Sequence, residues 1–343
     1  MQKSKGKINV AINGFGRIGR AVFKAIIESH PEINIVAINN LTDAKTTAHL
    51  LKYDSCYGTY CDEVSSTDDT LIVGKNKYPL IAEKDPASLP WKKYGIDIVI
   101  EATGRFRDME SASGHLKAGA KKVIISAPAK DDIIKNIVLG VNEEELQKED
   151  QIISMASCTT NCLAPVTSVI KSNFGIAKAI MTTIHAYTAD QNLIDNPHKD
   201  LRRARAAAIN MIPTTTGAAK AVAKAIPELK GKFDGMAIRV PTPVVSISDM
   251  VFITEKKVTE AEVNEALIKA SKGPKYKNII GVTNEPVVSS DLLRNPHSAI
   301  VDLSLTKVVD GDMLKVIAWY DNEWGYSSRL ADLCGYILKN GLV

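Results

Sequence analysis

The sequence predicts a two-domain α/β protein. The first domain is built on a mostly parallel sheet, and the second is α+β with a largely antiparallel sheet. Three observations carry this expectation. The chain has 343 residues, more than a single core usually organises. Short apolar runs alternate with helical or turn segments through its first half. Beyond residue 158 longer strand-like runs follow one another with few helices between them.

Ile8 to Ile12 is a buried-strand run bounded by glycines, and Arg17 to His30 carries Ile18, Val22 and Ile26 at helical spacing before Pro31. Ile33–Asn39 repeats the strand pattern and closes a βαβ unit. The runs Asp97–Ala102, Lys122–Ala127, Ile137–Val141 and Gln151–Ala156 continue the sheet. In the second half strands are expected at Lys178–Thr188, Gly235–Val240, Val244–Thr254, Ala299–Thr306 and Met313–Tyr320. Helices are expected at Thr159–Asn173, Thr216–Ala225 and Thr259–Ser271, the last opened by a capping box from Thr259 to Glu262. Trp324–Lys339 reads as a final helix with Leu330, Leu333 and Ile337 on one face. The expected division is 1–157 for the first domain, joined by the terminal helix of 324–343, and 158–323 for the second.

Hydrophobic residues make up 45% and charged residues 24%, which suits a packed globular core. A net charge of +4 is too small to make nucleic acid or an anionic membrane the main partner. Five cysteines, at 56, 61, 158, 162 and 334, do not form a disulfide framework, and no run is long and apolar enough to span a bilayer. A cytoplasmic location is expected.

Gly14-Phe-Gly16-Arg-Ile-Gly19 lies between a buried strand and a helix N-terminus. There glycines allow a tight turn and the first helical N–H groups face a pyrophosphate, so the first domain reads as a Rossmann-type dinucleotide-binding unit. The acidic residue that usually ends the second strand is replaced by Asn40.

Ser157-Cys158-Thr159-Thr160-Asn161-Cys162 follows a strand and opens a helix, a setting in which a thiol is expected to ionise more easily. Cys56, Cys61 and Cys334 are expected to behave as small buried hydrophobes, and Cys158/Cys162 alone are no metal pattern, so no metal is expected. A thiol nucleophile needs a base. His185, inside an apolar strand, reads either as a satisfied core histidine or as that base, and His30, His49, His115, His198 and His297 are expected at the surface. Residues 192–210 form a long basic loop with Lys199, Arg202, Arg203 and Arg205, followed by Thr214-Thr-Thr-Gly217. The loop reads either as a solvated or subunit-facing charge run or as an anion site.

NGFGRIGR, EATGRF, ISAPAKD, ASCTTNCLAP, PTTTGAAKAV, RVPTP and WYDNEWGYS together resemble the phosphorylating glyceraldehyde-3-phosphate dehydrogenases, over the whole chain. The resemblance implies reversible oxidation of glyceraldehyde 3-phosphate, with inorganic phosphate, to an acyl phosphate through a thioester on Cys158, with His185 as base. It places the substrate phosphate near Thr188, Asp190 and Arg239, and inorganic phosphate near Ser157, Thr159, Arg203, Thr216 and Gly217. For the cofactor, NAD or NADP, it implies Gly14, Gly16, Arg17, Ile18, Gly19, Asn40, Lys84, Thr103 and Ser126, with Asn322 fixing the nicotinamide amide and Tyr326 packing nearby. Asn40 where most members have Asp, and Asn196 where NAD-specific members often have Leu, imply that neither coenzyme is excluded. A homotetramer is also implied.

Two other readings compete. Erythrose-4-phosphate dehydrogenase shares the cysteine and histidine, but TTTG, the two adjacent arginines and Thr159 favour the phosphorylating enzyme. A nucleotide-responsive binding protein with little turnover would have no need of both Cys158 and His185.

Overall fold

A computed structural model describes residues 6–343. The chain divides into two compact units, Met1–Ile137 with Glu144–Ala156 and Ser327–Val343, and Val138–Glu143 with Ser157–Tyr326.

In the first unit the strands run in the order Lys135–Asn136, Ile152–Ser154, Lys122–Ile125, Ile98–Glu101, Ile8–Asn13, Ile33–Asn39, Asn76–Ile81, Thr70–Val73 and Val64–Ser66. The pairs from Lys135–Asn136 to Asn76–Ile81 are parallel, and the last two strands are added antiparallel. Val10, Ile12, Ile38, Ile98, Ile100 and Ile124 are wholly buried, as expected of strands covered on both faces. The helix Arg17–Ser29 turns Val22, Phe23 and Ile26 inward and ends at His30 ahead of Pro31. This is the expected Rossmann-type layout.

Local signals erred at three places before residue 157. The run Ile137–Val141 is not a strand: the strand ends at Asn136, after which Gly140 takes a φ of 83° and the Asn142 side chain accepts the Val138 N–H, closing a turn. His115 is wholly buried rather than exposed, because Trp91 Nε1 donates to its Nδ1 and Glu101 faces its Nε2. Cys61 is exposed and Cys56 half-buried, so only Cys334 of the three cysteines behaves as a buried hydrophobe.

The second unit carries a sheet in the order Ile212–Thr215, Phe233–Val240, Lys178–Ala186, Ser246–Ile253, Met313–Tyr320, Ala299–Asp302 and Ile280–Thr283, with Lys307–Val309 also paired to Met313–Tyr320. Two pairs are parallel, 178–186 with 233–240 and 280–283 with 299–302; the other pairs are antiparallel. Ser246–Ile253 alternates buried and half-buried residues, the mark of a sheet covered more fully on one face. The covering element is the helix Cys158–Phe174, which packs on the strands 246–253, 299–302 and 313–320. Ser157 caps that helix by accepting from Thr160 N, so it starts one residue earlier than the apolar pattern suggests. The helix Glu260–Lys272 has both bonds of the Thr259–Glu262 capping box. The strand expected over Ala299–Thr306 stops at Asp302 and passes into a tight turn at Leu303–Leu305. No helix among the described residues is long and apolar enough to cross a membrane.

Candidate active site

Cys158 opens its helix, and the neighbouring strand Lys178–Ala186 delivers His185 to it: Cys158 Sγ lies 3.5 Å from His185 Nε2. The other ring nitrogen, Nδ1, stands 2.6 Å from the Ala186 carbonyl. Arg239 Nη1 also stands 3.1 Å from Nδ1, but it has the Ala186 carbonyl and Thr188 Oγ1 to donate to. The shorter contact to the carbonyl, which only accepts, favours the proton on Nδ1, leaving the Nε2 lone pair toward the thiol. Arg239 lies beside His185 in register on the strand Phe233–Val240. Its Nη1 reaches the Ala186 carbonyl at 3.1 Å and Thr188 Oγ1 at 3.3 Å, while its buried Nε has no partner among the described residues.

Burial, and then the Arg239 charge, push the His185 pKa down to about 3, so the ring is neutral at physiological pH. Burial also pushes the Cys158 thiol up, opposed by Arg239 and by the hydroxyl and N–H of Thr159. This corrects the expectation from the helix N-terminus alone: desolvation outweighs the local donors in the free protein.

Tyr320 was not singled out by sequence reasoning. Its hydroxyl lies 2.9 Å from both Thr159 Oγ1 and Thr183 Oγ1, and its ring meets His185 edge-on at 5.9 Å between centroids. It therefore ties the helix bearing Cys158 to the strand bearing His185. Its place in the WYDN run was the available signal, but the partners depend on sheet register.

The basic loop does not leave its arginines free. Arg203 donates to Asp190 through Nη1 and to Thr214 Oγ1 through Nε at 2.9 Å, and Asp200 stands 3.5 Å from Nε. Asp190 and Arg203, expected in different phosphate positions, are thus partners. Thr216 Oγ1 accepts from Ala218 N at 3.2 Å, and Gly217 precedes the helix Ala218–Ala225 with no side-chain cap and open space where a Cβ would stand. Gln191, not singled out either, has both amide atoms buried without a partner among the described residues.

In the first unit, Gly14 has a φ of 92°, and a Cβ there would come within 2.7 Å of Thr103 N. A Cβ on Gly19 would fall 2.1 Å from the Gly14 carbonyl oxygen, whereas Gly16 faces open space and caps its helix with no side chain. Two glycines are needed for packing and the third leaves the helix N-terminus bare. That arrangement fits a dinucleotide pyrophosphate. Ile18 is half-buried, and the Arg17 guanidinium turns to Asp54 at 3.3 Å. Asn40 donates from Nδ2 to Thr47 Oγ1 at 3.1 Å, Lys84 is exposed, and Ser126 N donates to the Glu101 carbonyl at 3.0 Å.

Register places Asn39, Asn13 and Glu101 side by side at the ends of three neighbouring parallel strands. Asn39 Nδ2 donates to Asn13 Oδ1 at 2.6 Å and to the Glu83 carbonyl at 2.8 Å, and its Oδ1 accepts from Glu83 N at 2.9 Å. Asn13 Nδ2 donates to Glu101 Oε2, which also faces His115 Nε2 at 3.0 Å. Glu101 Oε1 accepts from both the N–H and the hydroxyl of Thr103. The buried carboxylate thus bonds the residue before the glycine turn and the Thr103 loop, and Asn39 extends the network from Asn13 to the segment before Lys84.

Comparison with known proteins agrees across the chain. Residues 8–109 match the family model described as glyceraldehyde 3-phosphate dehydrogenase, NAD binding domain, and residues 157–322 match its C-terminal domain. The glyceraldehyde-3-phosphate dehydrogenase of Geobacillus stearothermophilus is 55% identical over 336 residues, 98% of this chain and 99% of that protein. Those of Streptomyces coelicolor and Borreliella burgdorferi are each 53% identical, over 96% and 97% of this chain and 98% and 100% of theirs.

Proposed function

Given that the chain belongs to the glyceraldehyde 3-phosphate dehydrogenase family, and is accordingly an NAD(P)-dependent oxidoreductase acting on glyceraldehyde 3-phosphate, we propose that Cys158 is its nucleophile and His185 its base. The observation that carries this reading is the 3.5 Å approach of a proton-accepting Nε2 to the Cys158 sulfur. The Cys158 sulfur adds to the aldehyde carbon as its proton passes to His185 Nε2, giving a hemithioacetal. Having passed that proton to the new oxygen, Nε2 can take it back as the adduct is oxidised. NAD(P), when bound, supplies the two-electron acceptor that leaves a thioester on Cys158. Inorganic phosphate then attacks the thioester carbon, and the C–S bond breaks to release an acyl phosphate and the Cys158 thiolate.

Arg239, with an unpartnered Nε and with Thr188 beside it, is suited to the substrate phosphate. Thr159, Thr216, the open Gly217 helix start and Arg203 are suited to inorganic phosphate, once Arg203 leaves Asp190. Gly14, Gly16, Arg17, Ile18 and Gly19 would hold the pyrophosphate, with Asn40, Lys84, Thr103 and Ser126 along the rest of the dinucleotide, and Asn322 and Tyr326 would face the nicotinamide. Leu193, Ile194, Leu201, Ile209 and Met211, all at least 74% exposed, support a subunit contact and hence the homotetramer that the family implies. A cytoplasmic setting suits a chemistry that needs Cys158 reduced.

The deciding experiment is steady-state reduction of NAD and NADP by glyceraldehyde 3-phosphate with and without inorganic phosphate. Sustained turnover should require phosphate. Equal turnover without it would mean that water, not phosphate, releases the acyl group.

A further inference from the structure

We propose that Ser246 is a positioning residue that fixes which end of the Asn322 carboxamide is offered to the coenzyme. The inference rests on the reading above, in which the chain binds a nicotinamide dinucleotide through Asn322. Register sets Ser246 opposite Tyr320 at the end of two antiparallel strands, and Asn322 lies two residues further along. Both side chains are buried, Ser246 at 1% and Asn322 at 5% exposure.

Ser246 Oγ accepts the N–H of Ala186, the residue after His185, at 3.0 Å, and donates its own proton to Asn322 Oδ1 at 2.9 Å. The carbonyl end of the amide is thereby occupied. Asn322 Nδ2 has no protein partner among the described residues, so Asn322 presents donors only. Its ligand must supply an acceptor there, and on a nicotinamide ring that acceptor is the carboxamide oxygen rather than the amide nitrogen. The corner is held under strain: Val245, immediately before Ser246, is buried and β-branched yet has a φ of 70°. Such a backbone persists only where its surroundings over-determine it, and the Ala186–Ser246–Asn322 bonds are part of what does so. The same serine thus sets the strand end beside His185 and the amide that meets the coenzyme.

The test is calorimetric binding to coenzyme-stripped protein of NAD and of its 3-acetylpyridine analogue, which keeps the carbonyl oxygen but has no amide nitrogen. Wild type should bind the two within about threefold of each other. Asn322→Asp keeps the acceptor toward Ser246 but replaces the outward donor, and should bind both about a hundredfold more weakly; Ser246→Ala should lose about tenfold for both, and Ser246→Thr should recover most of it. The far-UV circular dichroism of Ser246→Ala should match that of the wild type, which a general loss of structure would not allow. A wild-type preference for NAD of more than about thirtyfold would mean the amide faces the other way and overturn the assignment, and this arm stands even if Ser246→Ala does not fold. Wild-type binding and turnover with an unaltered Ser246→Ala would overturn the Ser246 role alone. A wild type that binds neither dinucleotide would overturn the coenzyme reading with it.

Discussion

His185 and Cys158 meet as a neutral imidazole and a protonated thiol. The ring proton is committed at Nδ1 to the Ala186 carbonyl, Nε2 faces the sulfur at 3.5 Å, and burial moves both groups away from their charged forms. In the reaction proposed above, the thiolate would accordingly form as the proton crosses to Nε2 during addition.

Cys158→Ser should abolish turnover while dinucleotide binding persists, since a hydroxyl is far harder to deprotonate than a thiol. His185→Asn should lower turnover by roughly 10²–10⁴, the usual range for a lost general base. With iodoacetamide, labelling of Cys158 should fall at least about tenfold in His185→Asn while exposed Cys61 reacts as before. Equal Cys158 labelling in the two proteins, read by peptide mass spectrometry, would return His185 to a packing role.

Because Arg203 is paired with Asp190, an anion must displace a carboxylate to use it. Asp190→Asn should therefore lower the KM for inorganic phosphate, whereas Arg203→Ala should raise it about tenfold or more, as expected for a lost charge-assisted bond. Arg239→Ala should act mainly on the KM for glyceraldehyde 3-phosphate. Unchanged constants in all three variants would confine Asp190 and Arg203 to holding the loop and Arg239 to packing beside His185.

His30 lies 3.0 Å from Glu32 and 3.2 Å from Asp332 on the terminal helix, and although burial opposes its protonation these carboxylates raise its pKa above the ordinary 6.5. Its contribution to stability is therefore complete below pH 6.5 and is lost as pH rises through the raised value. His30→Gln should lower the melting temperature at pH 5.5 and change it little at pH 9. An equal drop at both would show that charge plays no part.

Asn40 gives one amide N–H to Thr47, leaving its carbonyl oxygen and its second N–H for a ligand. That oxygen suits a ribose hydroxyl better than a 2′-phosphate, yet it lacks the charge that would repel one. Both coenzymes should support turnover, with kcat/KM favouring NAD, and Asn40→Asp should cut the NADP value by about tenfold or more. Unaltered discrimination in Asn40→Asp would remove this residue from coenzyme choice.

What sequence reasoning could reach was whatever depends on near neighbours along the chain. The glycine turn and the Thr259–Glu262 box are local, and each forms where its residue types predict, while the Ser157 cap shifts its helix by only one residue. The position of His185 in an apolar strand marked it out, but its nearness to Cys158 required a helix and a strand to meet. Tyr320, Ser246 and the Arg203–Asp190 pair were not legible, because each joins segments separated by 13 to 161 residues. His115 erred in the same way: a polar residue in a helix reads as exposed until a buried Glu101 and Trp91 supply its partners.

The carboxylate of Glu101 has a bearing on motion as well as position. Asn13, next to the glycine turn, and Thr103 bond that carboxylate directly, and Asn39, which bonds Asn13, holds the backbone of residue 83, so the three segments hang on one continuous hydrogen-bond network. Opening one of them weakens the bonds that hold its neighbours, so their openings should be coupled. Backbone amides of the glycine turn, of residues 83–85 and of residues 103–105 will exchange with solvent at similar free energies, and a ligand that clasps any one of these segments slows exchange in the other two.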